Sequence, residues 1–315
     1  MPTLPVIAEY VRSGFVEGRH YGSLVALDGD GTVAFTVGDP NAPILPRSSN
    51  KPLQGVGMLR AGLDLDGELL ALAAASHSGQ PFHLDGVRRI LDRARLAESA
   101  LQTPPDYPLD EQAQRDWLRA GGERSRIAMN CSGKHAAMLA TCGAAGWPTA
   151  TYLEPDHPLQ VHLRQTIEEL AGERVAATGI DGCGAPLFAL SLSGVARAFR
   201  TLVLAEPGTP ERRVADAMRS HPEYVGGTRR DVTRLMAGVP GLLAKEGAEG
   251  VYAVALDDGR AVALKVDDGA QRARHPAMVA ALRRLGLDAP VLDELATTPI
   301  LGGGERVGEV RAAWV

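Results

Sequence analysis

The sequence predicts an α+β fold: an antiparallel sheet made from strands at both ends of the chain, flanked by helices, with a helical lobe to one side. Three observations carry this. Each end holds alternating apolar runs folded about a glycine-containing turn. The stretch between them is dominated by helical periodicity. No strand–helix–strand repeat occurs, and the glycines of "LGGGER" lack the strand and helix that a dinucleotide-binding loop needs on its two sides. With 315 residues, 45 % of them hydrophobic, the chain has material for a large core. It reads as one domain over residues 1–315, with a helical middle over approximately 48–245.

The elements follow in order. "SLVALDGDGTVAFTVGD" (Ser23–Asp39) is a hairpin turning at Asp28-Gly29-Asp30-Gly31. "HLDGVRRILDRARLAES" sets Val87, Ile90, Leu91 and Ala94 on one helical face. "DHPLQVHLRQTIEELAG" shows apolar residues at Leu159, Val161, Leu163, Ile167 and Leu170, with Asp156 as its expected cap. "TPERRVADAMRSH" has a complete helix start: Thr209 to cap, Pro210 at the first position and Glu211 in the first turn. "GVYAVALDDGRAVALKVDDG" (Gly250–Gly269) is the second hairpin, turning at Asp257-Asp258-Gly259. A helix over "HPAMVAALRRLGL" and a last strand in "RVGEVRAAWV" complete the pattern.

Composition excludes several classes of function. The net charge is −5, and arginine-rich stretches such as "GTRRDVTR" are interleaved with acids, so no broad attraction to nucleic acid or anionic membrane is expected. No apolar run is long enough to span a bilayer. The first residues lack a basic start followed by an apolar core, so a cytoplasmic protein is expected. Three cysteines, Cys131, Cys142 and Cys183, are too few and odd in number for a disulfide framework.

Four stretches carry residues suited to chemistry. In "PRSSNKPLQ", Ser48 and Lys51 stand three apart, a spacing that puts them on one face if Ser48 opens a helix; Pro52 alternatively marks Lys51 as the cap. A helix start favours an alkoxide, and a neutral lysine would accept the serine proton. The spacing also arises about once by chance in a chain of this length. "ALAAASHSGQP" runs small apolar residues into Ser76, His77 and Ser78, which is either a cleft wall or an ordinary turn. "NCSGKHAAML" places Cys131 in a loop ahead of a helix, with Lys134 and His135 in its first turn; Cys142 falls on the packing stripe. "GIDGCGAP" sets Asp181 and Cys183 among glycines, as a loop that lets backbone approach a ligand or as a tight turn. Cys131 and Cys183 together leave open a metal site, a thiol pair or neither.

Taken together these stretches resemble the type II asparaginase family of the Rhizobium-type class, which is distinct from the threonine-dependent bacterial asparaginases. The matching pieces are "RSSNKP", "ASHSG", "NCSGKH", "PDHPLQ", "DGCGAP", "HPE" and "LLAKEGAEGVYAVAL", in that order and over most of the chain. The resemblance implies a fold similar to serine β-lactamases and glutaminases, a homodimer, and hydrolysis of L-asparagine to aspartate and ammonia. It implies two Ser-Lys pairs, Ser48 with Lys51 and Ser76 with Lys245, and a zinc site of Cys131, Lys134 and Cys183. It also implies that Asp181 meets the substrate's α-ammonium. Arg47, beside Ser48, suits the α-carboxylate, and His135 is a further candidate for ligand contact. Other classes of function for the same residues are a Ser-Lys hydrolase of glutamine, a peptide or a β-lactam, a non-catalytic asparagine sensor, and a zinc-storage or redox protein.

Overall fold

In the computed structural model, which describes residues 5–314, the chain starts with three strands, β1 (Val6–Arg12), β2 (Phe15–Leu27) and β3 (Val33–Val37). A two-residue strand β4 (Pro43–Ile44) and a 3₁₀ turn (Arg47–Asn50) lead into helices α1 (Lys51–Arg60), α2 (Gly67–Ala73), α3 (Pro81–Arg93), α4 (Glu111–Arg119), α5 (Ser132–Ala145) and α6 (Pro158–Ala171). Short strands β5 (Thr178–Ile180), β6 (Pro186–Phe188) and β7 (Leu190–Ser191) precede α7 (Leu192–Leu204), α8 (Pro210–Ser220), α9 (Pro222–Gly226) and α10 (Asp231–Gly238). The chain then returns to the sheet through β8 (Leu243–Gly247), β9 (Val251–Ala255) and β10 (Ala261–Val266). It closes with α11 (Gln271–Arg284), α12 (Pro290–Leu295), β11 (Thr297–Gly302) and β12 (Glu305–Ala312).

The main sheet is antiparallel, in the order β11-β12-β1-β2-β10-β9-β8, with β3 also on β2. The expected α+β arrangement with both chain ends in one sheet is therefore what forms. β2 makes the seam. Its first half pairs with β1 and its second half with β10, where Leu24 lies opposite Leu264 and Val25 opposite Ala263. β9 is buried at every position and β10 at all but one, so both faces of the sheet centre are covered. α7 packs on β2, β9 and β10, and α11 on β1, β9, β10, β11 and β12.

Several boundaries differ from the sequence reading. α3 stops at Arg93, because Arg95 turns into the left-handed region (φ 56°). His157, not Asp156, caps α6, its ring accepting from the Leu159 amide. α11 starts earlier than expected and contains Pro276. Lys245 lies on a strand, not at the end of the helical middle, whose last helix stops at Gly238. The glycines of "LGGGER" make the turn between β11 and β12, where Gly303 and Gly304 have φ of 60° and 92°. Thr209 caps α8 as its sequence indicates, accepting from the Arg212 amide.

Candidate active site

A cavity of about 500 Å³ opens between the sheet edge at β8 and the loops that begin the helices. Eight separate stretches of chain reach it, one of them residues 109–111 at the start of α4. Arg47 and Ser48 come from the 3₁₀ turn, Ser76 and Ser78 from the loop after α2, and Asn130 and Cys131 from the start of α5. Asp181 and Cys183 come from the β5–β6 turn, Arg230 from the residue before α10, Glu246 from β8 and Arg274 from α11.

Ser48 does not cap α1 as the spacing suggested. Asn50 occupies the cap and Lys51 is the first helical residue, with Pro52 in the first turn where its missing N–H costs nothing. Lys51 is almost fully buried, one layer behind the lining. Its ammonium donates to Ala75 O (2.6 Å), Ser76 Oγ (2.9 Å) and Cys131 Sγ (3.1 Å). These three bonds use all the protons an ammonium carries. Lys51 therefore meets the serine expected to pair with Lys245, and none of its protons is directed at Ser48.

Lys245 is also buried. Its Nζ donates to the Glu246 carbonyl (2.8 Å) and lies 3.2 Å from Glu246 Oε2. Burial, helped by the charges of Lys51 and Arg230 and opposed by Glu246, brings the Lys245 ammonium down to about 7. Burial works to raise the Glu246 carboxyl, but Arg230, Lys245 and Arg274 outweigh it and hold it at about 2. The site thus contains an amine that changes charge near neutral pH and a carboxylate that stays ionised.

Arg230, Glu246 and Arg274 carry no motif spacing, and the sequence reading missed them. Arg230 donates to the Ser76 carbonyl (2.6 Å) and to Glu246 Oε1, while Arg274 pairs with Asp231 (3.2 Å). The one available signal was a charged pair inside "LLAKEGAEG", where Lys245 and Glu246 are flanked by small and apolar residues.

On the opposite wall, Arg47 Nε donates to Asp181 Oδ1 (2.8 Å). A cation and an anion thus stand side by side at the cavity rim. The β5–β6 turn that carries Asp181 is closed by its amide bonding to Ala185 O (2.9 Å), with Gly184 at φ 87°. His135 is fully buried rather than on the lining. Its Nδ1 meets the Tyr152 hydroxyl (2.7 Å), and burial lowers it to about 4.

Cys131 and Cys183 face one another in a small apolar cluster with Met129 and Ala185. The interaction between the two sulfurs, with burial, pushes the Cys131 thiol well above its usual range, and the same interaction pulls Cys183 down. Lys134 Nζ donates to Cys183 Sγ (3.2 Å). Burial lowers the Lys134 ammonium, but the two sulfurs and Asp181 outweigh it, so it stays protonated. Among the described residues no group of three or more His, Cys, Asp or Glu is placed to hold a metal. A site here would need Lys134 as its third donor. The donor chemistry fits a zinc ion, since two sulfurs and an amine converge and metal binding would displace the Lys134 proton.

A family model for L-asparaginase II matches residues 8–312. The chain belongs to the L-asparaginase II family. No curated protein matches it. Solved structures resemble it in outline. The native form of Mglu in 4.3 M NaCl is 13 % identical with a TM-score of 0.48, covering 84 % of this chain but 60 % of Mglu. The match spans less than two thirds of Mglu's own length. A β-lactamase (Mb2281c) from Mycobacterium bovis is 14 % identical with a TM-score of 0.47, over 90 % of this chain and 97 % of that one. Bacillus glutaminase in 4.3 M NaCl is 13 % identical with a TM-score of 0.46, over 84 % and 89 %. No helix among the described residues is long and apolar enough to cross a membrane.

Proposed function

We propose that this member of the L-asparaginase II family hydrolyses L-asparagine to L-aspartate and ammonia through a serine acyl-enzyme. The observation that carries the reading is that Ser48 and Ser76 line one cavity, with buried Lys51 donating to Ser76 Oγ and buried Lys245 beside the lining residue Glu246. Ser48 attacks the side-chain amide carbonyl and Lys51, in its neutral form, takes the proton. The oxyanion is held by backbone amides at the 3₁₀ turn. The 2.9 Å contact between Lys51 and Ser76 then offers a path for the proton to the departing ammonia. Lys245 is the second amine of the site, and it changes charge near neutral pH. Water releases aspartate in the second half of the reaction.

The same Lys51–Ser76 contact favours a second reading, in which Ser76 carries the acyl group. Mass spectrometry of the enzyme trapped with an acylating amide analogue separates the two. An adduct on the peptide containing Ser48 is expected, and one on the Ser76 peptide would exchange the roles. The function itself is tested by ammonia release from asparagine, glutamine, a peptide amide and a β-lactam, with asparagine expected to turn over fastest. Asparagine binding without turnover would instead identify a sensor.

The Arg47–Asp181 pair suits a zwitterion, with the guanidinium toward the α-carboxylate and Asp181 toward the α-ammonium. A charge-assisted bond contributes about 1.5–3 kcal/mol, so Arg47→Ala is expected to raise KM by roughly 10- to 150-fold and leave kcat nearly unchanged. An unchanged KM removes Arg47 from binding. The acid limb of kcat/KM is expected near pH 7, with activity rising as Lys245 loses its proton. A flat profile between pH 6 and 8 would exclude Lys245 from the proton balance.

Cys131, Lys134 and Cys183 would hold a zinc ion, which would cross-link the start of α5 to the glycine turn that carries Asp181. Elemental analysis is expected to give about one zinc per chain, and close to none in Cys183→Ser. Retention of zinc by that variant would remove Cys183 from the ligand set. The homodimer implied by the family resemblance is tested by sedimentation velocity; a monomer at micromolar concentration would overturn it.

A further inference from the structure

Lys245 has one carboxylate partner among the described residues, and that carboxylate is shared. Glu246 Oε1 takes a hydrogen bond from Arg230, while Oε2 lies 3.2 Å from Lys245 Nζ and has no aligned donor. Arg230 uses its other terminal nitrogen on the Ser76 carbonyl, at 2.6 Å. A continuous line of contacts therefore runs from Lys245 through Glu246 and Arg230 to the backbone of Ser76. Successive residues on a strand point to opposite faces, yet Lys245 and Glu246 are both buried. The Lys245 ammonium curls back to the Glu246 carbonyl, which keeps the two head groups together at the cavity edge.

We infer that Glu246 is a positioning residue: its carboxylate, bridging Arg230 and Lys245, sets the charge balance of the Lys245 amine, and Arg230 ties that balance to Ser76. The inference rests on the role proposed above for Lys245. It adds Arg230, which lies outside the matching family pieces, and Glu246, which lies inside one of them without an assigned role.

The surroundings of Lys245 support a tuned group. From α1 it faces Lys51, and from the residue before α10 it faces Arg230. β9 places Tyr252 opposite Glu246 in register. Asp231 of α10 pairs with Arg274 of α11, and Arg274 acts on Glu246. α8 also packs on β8, but its Arg219 answers to Asp216 and Asp257. Glu246 is therefore the anion that offsets Lys51 and Arg230 at the amine. Its two partners pull in opposite directions: Glu246 favours the protonated amine and Arg230 disfavours it, both directly and by engaging the Glu246 carboxylate.

This opposition gives a signature that a purely structural role would not produce. In Glu246→Gln, a near-isosteric change, the acid limb of kcat/KM is expected to move to lower pH by about one unit or more. In Arg230→Met it is expected to move to higher pH. Glu246→Asp, which keeps the charge, is expected to return most of the wild-type position. The measurement is kcat/KM for ammonia release from pH 5 to 9 in all four proteins, with far-ultraviolet circular dichroism to confirm folding. If Glu246→Gln fails to fold, the upward shift in Arg230→Met remains a test by itself. Limbs that stay at the wild-type pH in the folded variants, or that move the same way, overturn the inference. A wild-type profile with no limb near pH 7 would overturn the role of Lys245 instead, so the two failures are distinguishable.

Discussion

Ser48→Ala is expected to lower ammonia release from asparagine by about 10³-fold or more, because without the hydroxyl no acyl-enzyme forms. The loss should fall on kcat. The cavity keeps Arg47, Asp181 and the backbone of the 3₁₀ turn, so asparagine still binds, and isothermal titration with the inactive variant is expected to give a dissociation constant near the wild-type KM. Ser48 is only half-buried and sits in a 3₁₀ turn, so removing its oxygen leaves no cavity in the core and should shift the melting temperature little. Full activity in this variant would end the Ser48 assignment. Full activity here with complete loss in Ser76→Ala would transfer the acyl group to Ser76.

Lys51→Met is expected to lower kcat by about 10²–10⁴-fold, the range ascribed to a positioned general base. Methionine keeps most of the volume and removes the amine. Ala75 O, Ser76 Oγ and Cys131 Sγ then lose a donor, which by itself costs about 1–3 kcal/mol. Relief of a buried charge offsets part of that cost, so the protein should stay folded. If Lys51 and Ser48 act as one unit, the double variant Ser48→Ala/Lys51→Met should be no slower than the worse single variant. Losses that multiply would show two independent contributions and break the proposed pair.

Much of this molecule is legible in the sequence. Both terminal hairpins announce themselves by Asp-Gly turns between alternating apolar runs, because local turn chemistry and the two-residue period are written in consecutive residues. The start of α8 is legible for the same reason: Thr209, Pro210 and Glu211 satisfy a helix end without help from elsewhere. Other features depend on distant partners. β1 and β11 have no turn signature of their own strong enough to fix them and are defined by pairing with β12. The mutual arrangement of Lys51, Ser76 and Cys131 is invisible because a side chain's partner depends on packing, not spacing. Arg230 lies in "YVGGTRRDVTRLM", where it looks like one more charge on a solvated helix face. Only the fold turns it toward Ser76 and Glu246. The family motifs singled out the serines and cysteines that line the cavity and the lysines buried behind it, but the charges that govern those groups had to come from the structure.

The long strand β2 has a consequence for the order in which the protein comes into being. Its second half pairs with β10, and β1 pairs with β12, so early strands must wait for strands made more than 200 residues later. The helical middle can collect its own contacts while the chain is still growing. The wall that carries Lys245 and Glu246 cannot, because β8 joins the sheet only through β9 and β10. Closing so long a loop is slow, and the unpaired edge of β2 is exposed meanwhile. A chain that stops before β10 would therefore carry Lys245 on a strand with no sheet to join, and catalysis would begin only once β9 and β10 had closed onto β2.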